Sequence, residues 1–373
     1  MDIKKNNLKF YALYLPQFHQ IPENDEWWGE GFTEWTNVKS AKSQSKIKKY
    51  LRTPKNNFYY DLMNKDTVLW QSELMKNYGV DGLVYYHYYF KGKLLLQKPA
   101  ENILKWKDIN QNFFFCWANH DWNRSWDGTR ELLVRQEYGE KDDWEKHFQY
   151  LLPFFKDDRY SKVDNKPMFM VFKSDIPKKE EMFIYFEKRC KECGFNGLYL
   201  IETFWSAHKN IDWENDYQIF KKQCSSVTER IFLREFSTSQ QIYFYSRKRD
   251  LLNKIYRKLR RMIGEMTGEK YICKYNGNKF VSIMEKEEAV DGMAMRGLCF
   301  EWNNTPRHKE RGTIVSAPSK DRIMHYLDSI KNSDYVIINA WNEWAEGMIL
   351  EPTEETGYRY LEWIREWKMG VKK

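Results

Sequence analysis

Tyr335-Val-Ile-Ile-Asn-Ala-Trp-Asn-Glu-Trp-Ala-Glu-Gly347 runs from an unbroken apolar segment straight into a group of tryptophan, asparagine and glutamate side chains. A strand predicted over Tyr335–Ala340 has almost no polar position, so it has no solvent face. It belongs in a sheet covered on both sides, the pattern of parallel strands flanked by helices. The polar residues begin where the strand stops.

The same pattern repeats toward the N-terminus. Apolar runs predict strands over Phe10–Leu15, Gly82–Tyr88, Phe113–Ala118, Met168–Phe172, Leu198–Thr203, a weaker Asp216–Phe220, and Leu298–Trp302. Helical spacing lies between most of them, as in Thr67–Tyr78, Trp144–Phe155 and Lys179–Cys193. Eight strands alternating with helices predict an α/β fold, a (β/α)8 TIM-type barrel, as a single catalytic unit over residues 1–373. An open doubly wound sheet is the alternative, but no Gly-x-Gly-x-x-Gly follows any strand. Two segments exceed ordinary connections. A long loop after strand 1, Pro22–Pro54, carries Trp27, Trp28, Glu34 and Trp35, and is placed to cover a pocket. A helical insertion at about 229–296 separates strands 6 and 7 and contains a basic amphipathic helix over 247–263.

In such a barrel the C-terminal strand ends share one face, where active sites are found. That face would receive Gln17 and His19 after strand 1, and His87 and Tyr88 from strand 2. Trp117, Asn119, His120, Asp121 and Trp122 follow from strand 3, Glu202 from strand 5, Glu301, Trp302 and Asn303 from strand 7, and Trp341, Asn342, Glu343, Glu346 and Glu351 from strand 8. Flat rings pack well on the apolar faces of sugars, and aromatics make up 17% of the chain, so Trp27, Trp28, Trp117 and Trp122 are candidate stacking platforms. The competing reading for any one of them is plain packing. His19, His87 and His120 fit either sugar hydroxyls or a structural role. Glu202 and Glu301 fit pocket acids or ion pairs equally well, and Arg307 is read as a rim residue pairing with a carboxylate.

Glu343 and Glu346 are the candidate catalytic residues. Glycoside cleavage uses one group to protonate the leaving oxygen and a second carboxylate at the sugar. An apolar wall raises a carboxyl pKa toward the value a proton donor needs. At i and i+3, the two side chains share one side if a helical turn follows the strand.

Asn342-Glu-Trp-Ala-Glu-Gly347, continuing to Glu351-Pro352, resembles the Asn-Glu-Trp-x-Glu-Gly…Glu-Pro signature of glycoside hydrolase family 99. The whole chain is more similar still to the WbsX family, a related group from bacterial surface-polysaccharide gene clusters. Tyr14-Leu-Pro-Gln-Phe-His19, Asn24-Asp-Glu-Trp-Trp-Gly29, Gly31-Phe-Thr-Glu-Trp-Thr-Asn37, Trp117-Ala-Asn-His120 and Trp302-Asn-Asn-Thr-Pro-Arg307 carry that resemblance. The resemblance implies that Glu346 is the general acid/base. It implies that Glu343 takes the proton of the sugar's own 2-hydroxyl, which displaces the leaving group through an epoxide. Asn303 departs from the Asp that many WbsX members carry there, so no charged role is carried over to it. WbsX proteins are described as polysaccharide-biosynthesis glycosyltransferases, whereas their mechanistic relatives are hydrolases.

The expected function is therefore glycosidase-type chemistry on a surface polysaccharide such as O-antigen or capsule. Glycosyl transfer in its assembly is the alternative, and a catalytically silent glycan-binding assembly protein is the reading from another class. No Asp-x-Asp motif suggests a nucleotide-sugar transferase. The six cysteines form no disulfide or zinc spacing, and no His-Glu-x-x-His appears, so neither metal nor cofactor is expected. A net charge of +8 is concentrated in the 247–263 segment; its first reading is a solvated face packed on the barrel, with peripheral contact with an anionic membrane as the sharper alternative, ahead of nucleic acid. No apolar leader or membrane span is read in the sequence, so the expected location is cytoplasmic.

Overall fold

The computed structural model describes residues 7–43, 45–124, 131–173, 175–203, 231–234, 258–259, 262–263, 266, 272–286, 295–309 and 312–370. Among the described residues, eight parallel strands form the core of a ten-stranded sheet: β1 (Lys9–Tyr14), β2 (Gly82–Phe90), β3 (Phe113–Trp117), β4 (Lys166–Val171), β5 (Tyr199–Thr203), β6 (Ile231–Arg234), β7 (Met295–Leu298) and β8 (Tyr335–Ile338). Neighbours in sequence are neighbours in the sheet, and all these pairings are parallel. β1 pairs with both β8 (Lys9↔Tyr335) and β2 (Tyr11↔Gly82), so each of the eight has a parallel partner on either side. The fold is mixed α/β around a parallel sheet.

Triple-phenylalanine β3 shows why these strands carry no polar face. Phe114 lies 5.3 Å from Tyr11 of β1, ring to ring. Phe113 and Phe115 turn the opposite way, onto Phe154 at 6.4 and 4.8 Å. Phe154 belongs to the helix over Lys141–Lys156, so the two pleat faces meet different layers. Each buried phenylalanine contributes about 1.5–3 kcal/mol of burial free energy. Among the described residues, the longer helices are α1 (Pro22–Trp28), α2 (Glu34–Lys42), α3 (Lys65–Tyr78), α4 (Lys98–Lys105), α5 (Lys141–Lys156), α6 (Lys179–Glu192), α7 (Gly277–Lys286), α8 (Lys320–Ser329) and α9 (Arg359–Lys368). Asn64 caps α3 by accepting from the Asp66 N–H, and Gly79 ends it at φ 78°, a conformation that costs glycine nothing.

Several expectations need correction. The sixth strand is Ile231–Arg234; the predicted Asp216–Phe220 lies outside the described residues. Four residues between Glu229-Arg230 and Glu235 are too short and too charged at their ends to stand out as an apolar run. The seventh strand is Met295–Leu298, not Leu298–Trp302, because Arg296 is buried inside it despite its charge. Trp302–Asn303 instead pairs antiparallel with Thr313–Val315, which pairs in parallel with Cys273–Tyr275 in a small side sheet. The insertion expected at about 229–296 thus takes in β6 and the start of β7. The long loop after strand 1 holds α1 and α2. Of the basic helix expected over 247–263, only Lys258, Leu259, Met262 and Ile263 are described, all exposed; the rest lies outside the described residues. Among the described residues, no helix is long and apolar enough to cross a membrane.

Candidate active site

Beyond Ile338 the chain forms a two-residue strand, Asn342–Glu343, which pairs with Met348–Ile349. A single 3-10 turn, Trp344–Glu346, lies between them, and Gly347 closes it at φ 62°. Asn342 fixes this hairpin to strand β1. Its Oδ1 accepts from the Leu15 N–H at 2.8 Å and its Nδ2 donates to the Leu15 carbonyl at 3.0 Å. Glu351 holds the far end. One of its oxygens accepts from Gln71 Nε2 (2.7 Å) and Trp341 Nε1 (2.8 Å), the other from Tyr60 Oη (2.9 Å) and Trp344 Nε1 (2.7 Å). Burial pushes its carboxyl up to about 7, although the four donors pull the other way.

Arg307 stands at the centre of the site. It donates to Glu34 at 2.9 Å, to Glu343 at 3.5 Å and to Glu346, so one guanidinium joins three carboxylates. Burial opposes its charge, but Glu34, Glu346 and Glu343 outweigh that cost and raise its pKa. The helical turn Thr305–His308 presents it. Asn303 Oδ1 braces the start of that turn, accepting from the Thr305 N–H (3.0 Å) and Oγ1 (2.7 Å), while its Nδ2 donates to the Tyr50 carbonyl at 2.6 Å. An aspartate would brace the turn equally, but would meet that carbonyl with no donor. Glu34, the first residue of α2, also accepts from the Ala345 N–H at 3.3 Å, between the two glutamates. Trp302 Nε1 donates to Glu346 at 3.1 Å. Burial pushes the Glu343 carboxyl up to about 8; Arg307 opposes this, and Glu346 and Glu34 add to it.

Glu343 and Arg307 form one wall of a cavity of about 300 Å³. Of the other predicted site residues, Gln17, Trp28, Tyr88, His120 and Asp121 also line it. Trp27 and Trp122 complete an aromatic wall: they meet edge to face at 5.5 Å, and Tyr88 stacks on Trp122 at 5.1 Å. Asn24, Asn123, Leu15 and Leu133 line it too, and were not singled out from sequence. Arg307 was read only as a rim residue. Its signal was the Trp302–Arg307 motif itself, an arginine fixed at a set distance from a strand-end tryptophan.

The remaining predicted residues lie behind or away from this wall. Glu34, Asn342 and Glu351 brace the loop that bears Glu343, as does Trp341 through Glu351. Trp302 touches Glu346. Trp35 is core, donating to the Tyr60 carbonyl at 2.7 Å and packing on Phe18, Tyr60 and Trp344. Trp117 is buried and donates to the Tyr89 carbonyl at 3.0 Å. His87 points outward to α5, with its Nε2 2.9 Å from that of His147; burial drives its pKa down to about 3. Asn119 clamps both backbone groups of Lys173 at 2.8 Å each. His19 is buried outside the cavity lining. Glu202 and Glu301 take the ion-pair alternative, with Lys179 at 3.0 Å and Arg52 at 2.8 Å. Among the described residues, no three or more His, Cys, Asp or Glu side chains are grouped to hold a metal ion.

In fold, the chain resembles solved glycoside-hydrolase-type structures. It superposes on a structure described as a glycoside hydrolase-like protein with a TM-score of 0.57, at 11% identity, covering 100% of this chain and 96% of the other. The GH99 endo-alpha-mannosidase from Bacteroides thetaiotaomicron aligns with a TM-score of 0.52 at 11% identity, over 96% of each chain. The chain belongs to the WbsX glycosyltransferase family, which matches residues 10–364. It is also 28% identical over 369 residues to the uncharacterized protein WxcX of Xanthomonas campestris pv. campestris strain B100, and 29% identical over 373 residues to WxcX of strain ATCC 33913. It spans about half the length of these relatives, 49% in each case.

Proposed function

We propose that the chain breaks or remakes a glycosidic bond of a bacterial surface polysaccharide, on a closed (β/α)8 barrel, with Glu343 and Glu346 as the reacting carboxylates. One observation carries the reading: Glu343 faces an aromatic-walled cavity, and the same guanidinium links it to Glu346. Tyr88, Trp27, Trp28 and Trp122 offer faces for a sugar ring, and Gln17, Asn24, Asp121 and Asn123 offer hydroxyl partners. In this scheme Glu346 protonates the departing oxygen. Glu343 draws a proton from a hydroxyl held beside the anomeric carbon, where proximity raises its effective concentration. Transfer to a sugar acceptor uses the same two groups, because only the incoming hydroxyl differs; the family's description as a glycosyltransferase favours keeping that reading.

The test is incubation with lipid-linked or released oligosaccharide from the source organism, followed by mass spectrometry. A shortened glycan identifies cleavage, and an extended one identifies transfer. Glu343→Gln and Glu346→Gln are each expected to lower turnover by at least about 100-fold, the scale of a lost general acid or base, with unchanged circular dichroism. Full activity in either variant removes that residue from the reaction.

A further inference from the structure

The acidic group around Arg307 does not balance. Glu34, Glu343 and Glu346 converge on one guanidinium, and Glu34 and Glu343 are buried. With all three ionised the group carries two uncompensated negative charges; retaining one proton halves that. Among the described residues, the other titratable groups facing it add no fixed positive charge. Tyr88 and Asp121 line the cavity beside Glu343. His120 on the rim and His308 next to Arg307 are both driven toward the neutral form by burial. The neighbouring donors, Trp302 Nε1 and the Ala345 N–H, are uncharged.

We propose that Glu34 is a positioning residue: its carboxylate engages Arg307 and the Ala345 N–H, and so keeps one proton on the Glu343–Glu346 pair. This builds on the reading of those two glutamates as the reacting groups. Glu34 holds Arg307 Nη2 at 2.9 Å, nearer than Glu343 at 3.5 Å, while Glu346 holds Nη1, so one positive charge is divided among three carboxylates and cannot neutralise the pair as well. Two adjacent carboxylates then share a proton, as like charges in a dry site do. The upward displacement of Glu343 agrees with this. When the glycosidic C–O bond breaks, its electron pair stays on the departing oxygen, which takes the retained proton. The incoming hydroxyl or water returns a proton to the pair.

The test needs no substrate. Protein labelled with carboxyl-13C glutamate is titrated by infrared spectroscopy, following the protonated-carboxyl band that Glu343→Gln or Glu346→Gln abolishes. The wild type is expected to keep this band at pH 7. Glu34→Gln should lower its midpoint by about one pH unit or more, a tenfold loss in proton affinity. Glu34→Asp, which keeps the charge, should hold the wild-type midpoint. No band at pH 7 in the wild type, an unmoved midpoint in Glu34→Gln, or an equal fall in Glu34→Asp overturns the proposal; a purely structural role would not move the midpoint. Should Glu34→Gln fail to fold, Glu34→Met, uncharged and of similar length, takes its place and must lower the midpoint in the same way or the proposal fails. Because activity does not enter, loss of the catalytic assignment and loss of this one are read separately.

Discussion

Replacing Glu351 by alanine removes the acceptor of four buried donors at once: Tyr60 Oη, Gln71 Nε2, Trp341 Nε1 and Trp344 Nε1, at 2.7–2.9 Å. Leaving a buried donor unsatisfied costs about 1–3 kcal/mol. The four share one acceptor, so their losses are not additive, and the Tyr60 hydroxyl is free to turn; a total of about 4 kcal/mol is expected. The unfolding entropy of a chain of 373 residues is about 0.8 kcal/mol/K, so the melting temperature should fall by about 5 °C. Glutamine should cost less. Its amide oxygen still accepts two bonds, and on the Tyr60 side its NH2 meets a hydroxyl able to accept, leaving one indole N–H without a partner. The expected loss is about 1–3 kcal/mol. Scanning calorimetry of the three proteins decides the matter: a Glu351→Ala variant melting within about 1 °C of wild type would refute the view that this carboxylate holds the Glu343 hairpin in place.

Other outcomes follow from the same geometry. Arg307→Ala leaves three carboxylates without their cation and should destabilise by about 3–5 kcal/mol in urea unfolding near pH 8, less near pH 5, below the raised pKa of Glu343. Stability should also pass through a maximum with pH. Glu343 and Glu351 titrate higher in the folded state than the ordinary 4.5, so the stability they add below 4.5 is lost as pH rises toward about 8 and about 7. His87, held down to about 3, acts oppositely: its contribution is present above 6.5 and lost as pH falls toward 3. Denaturant titrations across this range should show Glu343→Gln flattening the alkaline limb alone. Gly347→Ala places a methyl 2.8 Å from Asn303 Cβ at φ 62°, and should cost about 1–3 kcal/mol by thermal melt.

Where the sequence was legible, the reason was local. β3 reads as a buried strand because Phe113, Phe114 and Phe115 leave it no polar face, and β8 reads so for the same reason. β6 was misplaced because its apolar run, Ile231-Phe-Leu233, is only three residues long and is closed by Arg230 and Arg234. His87 and Trp117 were drawn to the site by their position at strand ends, but alternation along a strand sends them to the helix layer: His87 to His147, Trp117 to Tyr138 and His147.

What the sequence determined alone was the parallel α/β core, through apolar runs that tolerate no water on either side, and the presence of an acidic, aromatic segment after the last strand. The tertiary structure alone decided how those acids differ. Glu34, Arg307 and Glu343 come from three distant parts of the chain, and Glu351 turns away from the cavity into a cage of four donors. Such contacts follow no period, since they arise only when the sheet brings separate strand ends together. A carboxylate's protonation depends on that company, which a linear sequence does not display.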